Sequence, residues 1–173
     1  MTSSTEHRRQ SASYIRNFIF GVEDSLVSTV GLLSGVAIAG VDRKTILLTG
    51  VVLIFVEAFS MAAGTFLSES SAEGYVKQKA TPVGPSVRRG LVMFGSYFVS
   101  GFVPLFPYMV IVTERAFPLS ISLSIVALFA LGAWGGAVSK ANILRSALRM
   151  AVIGGIAIGV GVGAGAIVNR IAG

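Results

Sequence analysis

The sequence has no cysteine. Disulfides, zinc–thiolate sites and iron–sulfur clusters are therefore excluded. Its single histidine, His7, lies in a polar N-terminal stretch, so clustered-histidine metal chemistry is excluded too. Charge is also scarce: 13% of the 173 residues are charged, against about 25% in an average soluble domain. Only eight residues are acidic. No nucleophile–base pair or catalytic metal cluster can be assembled from this inventory, so an enzyme is not expected. No cleavable signal peptide is expected either. Residues 1–16 are polar, and the apolar run starting near Asn17 is too long for a signal core.

What the chain does have is apolar surface. Hydrophobic residues make up 53%, and the mean hydropathy is +0.79. A soluble fold this short has too much surface to hide them. The expected fold is an all-α integral membrane protein. A span needs about 20 mainly apolar residues, and five stretches qualify: 17–40, 45–68, 88–112, 117–139 and 145–170. Residues 1–16 then form a polar cytosolic tail, and 17–173 a single transmembrane domain of five helices. Asp42-Arg43-Lys44 separates the first two spans, and Glu114-Arg115 the third and fourth, with Pro118 opening the next helix. The longest connection is 69–87, where Pro82, Gly84 and Pro85 mark an irregular loop.

The net charge of +6 invites a nucleic-acid reading, but its distribution argues against one. Lys and Arg sit at the ends of apolar runs, where they report topology. With the N-terminus inside, the cytosolic segments hold ten: Arg8, Arg9, Arg16, Lys77, Lys79, Arg88, Arg89, Lys140, Arg145 and Arg149. Arg43, Lys44, Arg115 and Arg170 fall outside. The positive-inside rule thus favours N-in, C-out.

Glycine is abundant within the spans. Gly31 and Gly35 form one GxxxG, Gly132 and Gly136 another, and Gly155, Gly159 and Gly163 recur every fourth residue. Such spacing lets helix backbones approach closely, within a subunit or between subunits. Five helices are few to enclose a pathway, so a homodimer with a shared central cavity is expected.

Three carboxylates lie inside the spans: Glu23, Asp24 and Glu57. A charge at mid-bilayer costs at least about 2.5 kcal/mol, and an intramembrane ionisable group is by default functional. Asp24 is seven residues into the first span, roughly 10 Å deep. Met61 is eight residues from the same side on the returning helix, roughly 12 Å deep. Glu57 lies one turn deeper on the face of Met61. Carboxylates suit hard divalent ions, and a thioether biases such a site toward transition metals. Met61 also reads as packing. Glu23, adjacent to Asp24, points to another helix face and also reads as a structural hydrogen bonder or a helix-dipole partner. Pro104 and Pro107 in the third span each remove an amide donor, which suits a structural kink or a role in lining or gating a path.

Several stretches resemble the vacuolar iron transporter (Ccc1-like) family. They are Asn-Phe-Ile-Phe-Gly-Val-Glu-Asp-Ser-Leu from Asn17, Ala-Phe-Ser-Met-Ala-Ala-Gly from Ala58, Phe-Val-Pro-Leu-Phe-Pro-Tyr-Met from Phe102, and Leu-Arg-Ser-Ala-Leu from Leu144. The resemblance covers nearly the whole chain in order. It implies a homodimeric exporter of Fe2+, and often Mn2+, from the cytosol, in many members by exchange with protons. The family's pathway aspartate falls on Asp24 and its methionine on Met61. The chain departs from the family in reading Asp24-Ser25 where Asp-Gly is usual, in having Thr65 where an acid stands in many members, and in having Leu53 where the plant vacuolar proteins carry an acid. It also resembles short-loop members, because it lacks the glutamate-rich cytosolic metal-binding domain between spans two and three. Only Glu69 and Glu73 are acidic there. They read as a cytosolic mouth or as ordinary solvated charge at a helix end.

The expected function is therefore a metal transporter with lipid bilayer, divalent transition-metal ions and protons as partners, and with no nucleic acid and no prosthetic group. Fe2+ or Mn2+ is cargo. Rival readings are a non-transporting scaffold or metal sensor, and a proton or small-cation channel. A prokaryotic plasma membrane suits the compact chain, and a vacuolar membrane the family name.

Overall fold

The computed structural model describes residues 3–77 and 83–172, with side chains over 10–76 and 83–171. Five helices account for nearly all of it: α1 (Ser3–Ile38), α2 (Arg43–Lys77), α3 (Val83–Val110), α4 (Thr113–Val138) and α5 (Ile143–Ala172). Each is long and apolar enough to cross a membrane. The protein is an all-α integral membrane protein. Lys79 and Pro82, and the side chains of His7, Arg8, Arg9 and Lys77, lie outside the described residues.

Two segments differ from expectation. The polar stretch before Asn17 is helical from Ser3 and continuous with the first span. The long connection is mostly helix as well, since α2 runs on to Lys77 and α3 begins at Val83. Hydropathy marks where a span must end, whereas Ser, Ala and Glu can continue a helix in water. Gly84 and Pro85 fall in the first turn of α3, where proline costs nothing because its amide would be unpaired. The other connections are short, so the helices alternate in direction. The start of α1, the α2–α3 connection and the α4–α5 turn therefore share one end, called the basal end below.

The turns are chemically specified. Gly40 takes φ +73° after α1, a conformation open to glycine. Asp42 then caps α2, accepting from the Thr45 amide at 3.2 Å and the Thr45 hydroxyl at 2.6 Å. Those two bonds hold the Asp42 carboxyl below its usual range, with the side-chain bond to Thr45 the larger cause. Asn142 caps α5 through the Arg145 amide at 3.0 Å.

α1 is the hub and packs on all four other helices. α2 packs chiefly on α3 and only lightly on its sequence neighbour α1. The α2–α3 seam carries an aromatic ladder, with Phe98 between Phe94, Phe102 and Phe55 at centroid distances of 5.6, 5.3 and 5.0 Å. A core of Leu33, Ile46, Ile54, Leu105, Tyr108 and Ala116 closes the apical half. α3 runs unbroken through the buried Pro104 and Pro107. The Ser120 hydroxyl of α4 donates to the Pro104 carbonyl at 2.7 Å, tying the two helices at the proline segment.

The glycine motifs sort by contact. Gly31 and Gly35 of α1 meet Gly161 and Gly165 of α5, where a Cβ on either α5 glycine would strike α1 backbone. Gly132 and Gly136 lie against Ser146, Ala147 and Ile143 in the same manner. Gly155, Gly159 and Gly163 have open space in front of them. The α5 packing face is thus offset from the register that the sequence spacing singled out.

Candidate functional site

The site is built on the small face that α1 turns toward α3. Gly21 sits against Ser96 and Met93, and Gly101 of α3 sits against Ser25 and Ile54. The fully buried Ser25 hydroxyl donates to the Tyr97 carbonyl at 2.6 Å. That bond accounts for the Asp-Ser departure: the extra hydroxyl finds a buried carbonyl instead of a clash. One turn on, the Ser28 hydroxyl pairs with the Tyr97 phenol at 2.7 Å. These contacts fix the α1 segment that carries Asp24.

Asp24 and Glu57 are both half-buried and close enough for their charges to interact. The buried Tyr97 phenol lies within the field of both. The structure therefore gathers Asp24 of α1, Glu57 of α2 and the Tyr97 phenol of α3, with Ser28 holding the phenol. Two like charges facing each other in a low-dielectric region repel unless a cation or proton lies between them. Met61, also half-buried, lies one turn along α2 from Glu57. Among the described residues no group of three or more His, Cys, Asp or Glu converges into a metal site. A single subunit thus offers two carboxylates and neutral oxygens, not a closed chelate. Tyr97 was not singled out in the sequence. Its Ser-Tyr-Phe surroundings read as ordinary core, and no local signal marks it.

Glu23 goes elsewhere, as its position next to Asp24 requires. It lines a cavity of about 390 Å³ between α1, α4 and α5, which it shares with Arg149, Ser139 and Ser146. Arg149 attracts its charge across that cavity, but less strongly than neighbouring Asp24 repels it. Glu23 thus has a basic residue nearby while remaining within the field of Asp24.

Glu69 and Glu73 lie at the basal end, and neither is a free, solvated acid. Arg89 donates to Glu69 Oε2 at 3.0 Å and to Glu73 Oε1 at 2.6 Å. The other Glu69 oxygen accepts from Arg16 at 2.8 Å and from Ser13 at 3.1 Å. The Arg89 side chain is only 9% exposed, so this is a partly buried network across α1, α2 and α3. A carboxylate so engaged has its charge answered, and a cation would have to displace a guanidinium to reach it. Beneath the network is a cleft of about 340 Å³ lined by Arg16, Asn17, Phe20, Thr65, Ser68, Glu69 and Met93. Its α2 wall continues inward by single turns, from Glu69 to Thr65, Met61 and Glu57. Its α1 wall continues from Phe20 to Asp24. The lining of the cleft stops at Phe20, Thr65 and Met93, one helical turn on the basal side of Asp24 and Met61.

Comparison with known proteins adds an independent line. The VIT family model matches residues 15–82 and 76–166, which covers both walls of the cleft and all three acids within the spans. A rice (Oryza sativa subsp. japonica) protein named vacuolar iron transporter homolog 5 is 28% identical over 163 residues, spanning 86% of this chain and 77% of its own length. Two Arabidopsis thaliana proteins behave alike. Vacuolar iron transporter homolog 4 is 26% identical over 165 residues (86% and 81% of the two chains), and homolog 2 is 28% identical over 172 residues (91% and 86%).

Proposed function

The chain belongs to the VIT family, and from that premise we propose that it is a transporter of a divalent transition-metal ion, Fe2+ first and Mn2+ second. The names of the relatives support iron as cargo. The observation that carries the reading is the Asp24–Glu57 pair beside Tyr97, two carboxylates at membrane depth with no basic partner among the described residues. Carboxylates and a phenol oxygen replace part of a hydrated ion's shell, and Met61 next along α2 adds a softer ligand. An open, incomplete ligand set is what a transported ion needs, because it must leave as readily as it binds.

In this reading the basal end faces the cytosol and the chain is N-in, C-out. The ion enters the cleft between α1 and α2, passes Thr65 and Met61, and is held between Asp24 and Glu57. Two subunits in a homodimer supply the ligand set twice around a shared axis. A cation and protons compete for the same carboxylate oxygens, which supplies the chemical link for proton exchange. Pro104 and Pro107 lie on the apical half of α3, where the ion would leave. The compact chain suits a prokaryotic plasma membrane, and the relatives' names favour a vacuolar one.

The test is Fe2+ flux in proteoliposomes. Asp24→Asn keeps the side-chain shape and removes the charge. Flux should fall by about ten- to a hundredfold, the value of one charge-assisted ligand. Undiminished, saturable flux in Asp24→Asn would remove the core of the proposal. Non-saturable flux without metal preference would indicate a channel.

A further inference from the structure

The cleft between α1 and α2 is bordered at its basal end by Glu69, one side chain with two arms. Glu69 reaches α1 through Arg16 and Ser13, and α3 through Arg89. The arms differ in strength. The Arg16 side chain is 71% exposed, so water and salt screen it, whereas the Arg89 side chain is 9% exposed and is shared with Glu73. An exposed ion pair biases an equilibrium by no more than about fivefold. A partly buried one is far harder to break, because breaking it strands a charge. The packing follows the same division. α2 and α3 are bound by the Phe98 ladder and by the close approach of Gly90 to Ala62, whereas α2 touches α1 lightly and α1 is held mainly through α3 and α5.

We propose that this cleft is the vestibule of the pathway and that Glu69 is its latch, holding the basal ends of α1 and α2 together through a weak arm to Arg16 and a strong arm to Arg89. The weak arm breaks first, and the basal ends of α1 and α2 part locally while each stays packed on α3. Released from Arg16, the Glu69 oxygen faces the vestibule beside Thr65 and Ser68. Asn17, 4% exposed, lines the same cleft with an amide Nδ2 that has no partner among the described residues. A buried amide without a partner is costly, and a vestibule filled with water on opening satisfies it. In the closed latch Glu69 is answered by both Arg16 and Arg89 and so offers little attraction to a cation. The open one presents a carboxylate and hydroxyls to a hydrated divalent ion. The latch itself stands on the geometry alone, and its use in metal uptake rests on the transport reading.

The absence of native cysteine makes the test direct, since one introduced thiol is the only one. Thr65→Cys places it beneath the latch. The full-length chain in lipid vesicles is exposed to a membrane-impermeant thiol reagent on both faces, without metal. Arg16→Gln should speed modification of Thr65→Cys about three- to fivefold, and Glu69→Gln, which weakens both arms, about tenfold. Arg16→Lys should raise it less than Arg16→Gln does. Ala141→Cys, in the exposed α4–α5 turn, should react at one rate in every background. Unchanged rates at Thr65→Cys in both latch variants would overturn the proposal. So would an equal rise at Ala141→Cys, which would mark general loosening. Because no metal is present, the labelling result stands apart from the flux assay. A latch that opens as described in a protein without flux would refute transport and not the latch.

Discussion

Two pairs of acids face each other in this molecule, and they live under opposite regimes. Glu69 and Glu73 at the basal end are answered by Arg16 and Arg89 at 2.6–3.0 Å. Asp24 and Glu57, deeper, have each other and a neutral phenol. Residue type alone does not separate the pairs, since each is two carboxylates on helices. What separates them is whether a cation is built into the protein. The basal pair uses its charge to hold three helices together, so its role is mechanical. The inner pair has charge left over, and left-over charge at membrane depth is held in place only by something worth binding.

The comparison can be broken from the mechanical side first, where the largest effect is expected. Arg89→Gln leaves Glu69 and Glu73 facing each other without their shared counter-ion. Removing one member of a buried ionic network costs about 3–5 kcal/mol, and the partial exposure of the two glutamates puts this case near the lower bound. Thermal unfolding in detergent should show a large drop in midpoint, whereas Asp24→Asn should leave stability equal to or above the parent. If Asp24→Asn proved the more destabilising of the two, the division of roles would be wrong.

A smaller effect sharpens the inner side. Tyr97→Phe deletes the phenol that Ser28 holds at 2.7 Å and that sits in the field of both acids. Stability should fall by about 1 kcal/mol, the ordinary value of one hydrogen bond. Metal affinity, read from the concentration dependence of flux, should weaken a few-fold. An affinity that stayed at the parent value would restrict Tyr97 to packing.

The smallest effect concerns an acid outside the spans. Asp42 has its carboxyl held below the ordinary value of 3.8 by Thr45. Its contribution is present when it is ionised, above that ordinary value, and disappears as pH falls through the lower folded-state value. Asp42→Ala should therefore lower the unfolding midpoint slightly at neutral pH, less than Arg89→Gln does, and the difference from the parent should vanish in strong acid. A difference that persisted unchanged into strong acid would mean that the cap does not act through its charge.

Much of this was legible in the residues, for identifiable reasons. The five spans follow from run length and hydropathy, which the bilayer enforces whatever the tertiary packing. The separation of Glu23 from Asp24 follows from helical geometry, since neighbours in sequence point about 100° apart. The fixed rise per residue sets Asp24 level with Met61, whereas the α2 group whose charge reaches Asp24 is Glu57, one turn further along. What escaped depends on contacts between distant positions. Arg89 reads as a topology marker beside Arg88, yet it is buried and clasps acids 16 and 20 residues away. Tyr97 looks like any apolar-flanked tyrosine until Ser28 and two carboxylates are set around it. The α5 glycines show the same limit. Spacing reveals several possible faces, and only the partner helix selects among them.

The meeting of Gly31 and Gly35 with Gly161 and Gly165 joins the first helix to the last. It imposes an order on biosynthesis. A chain made from its N-terminus inserts α1 first, and α1 must then wait for about 120 further residues before its glycine face is covered. Until then that face is lined only by lipid. The contact that completes the bundle is also the one of highest sequence separation, so assembly should pass through a four-helix species whose final step is the docking of α5. Chains truncated before Ile143 should accumulate as that species.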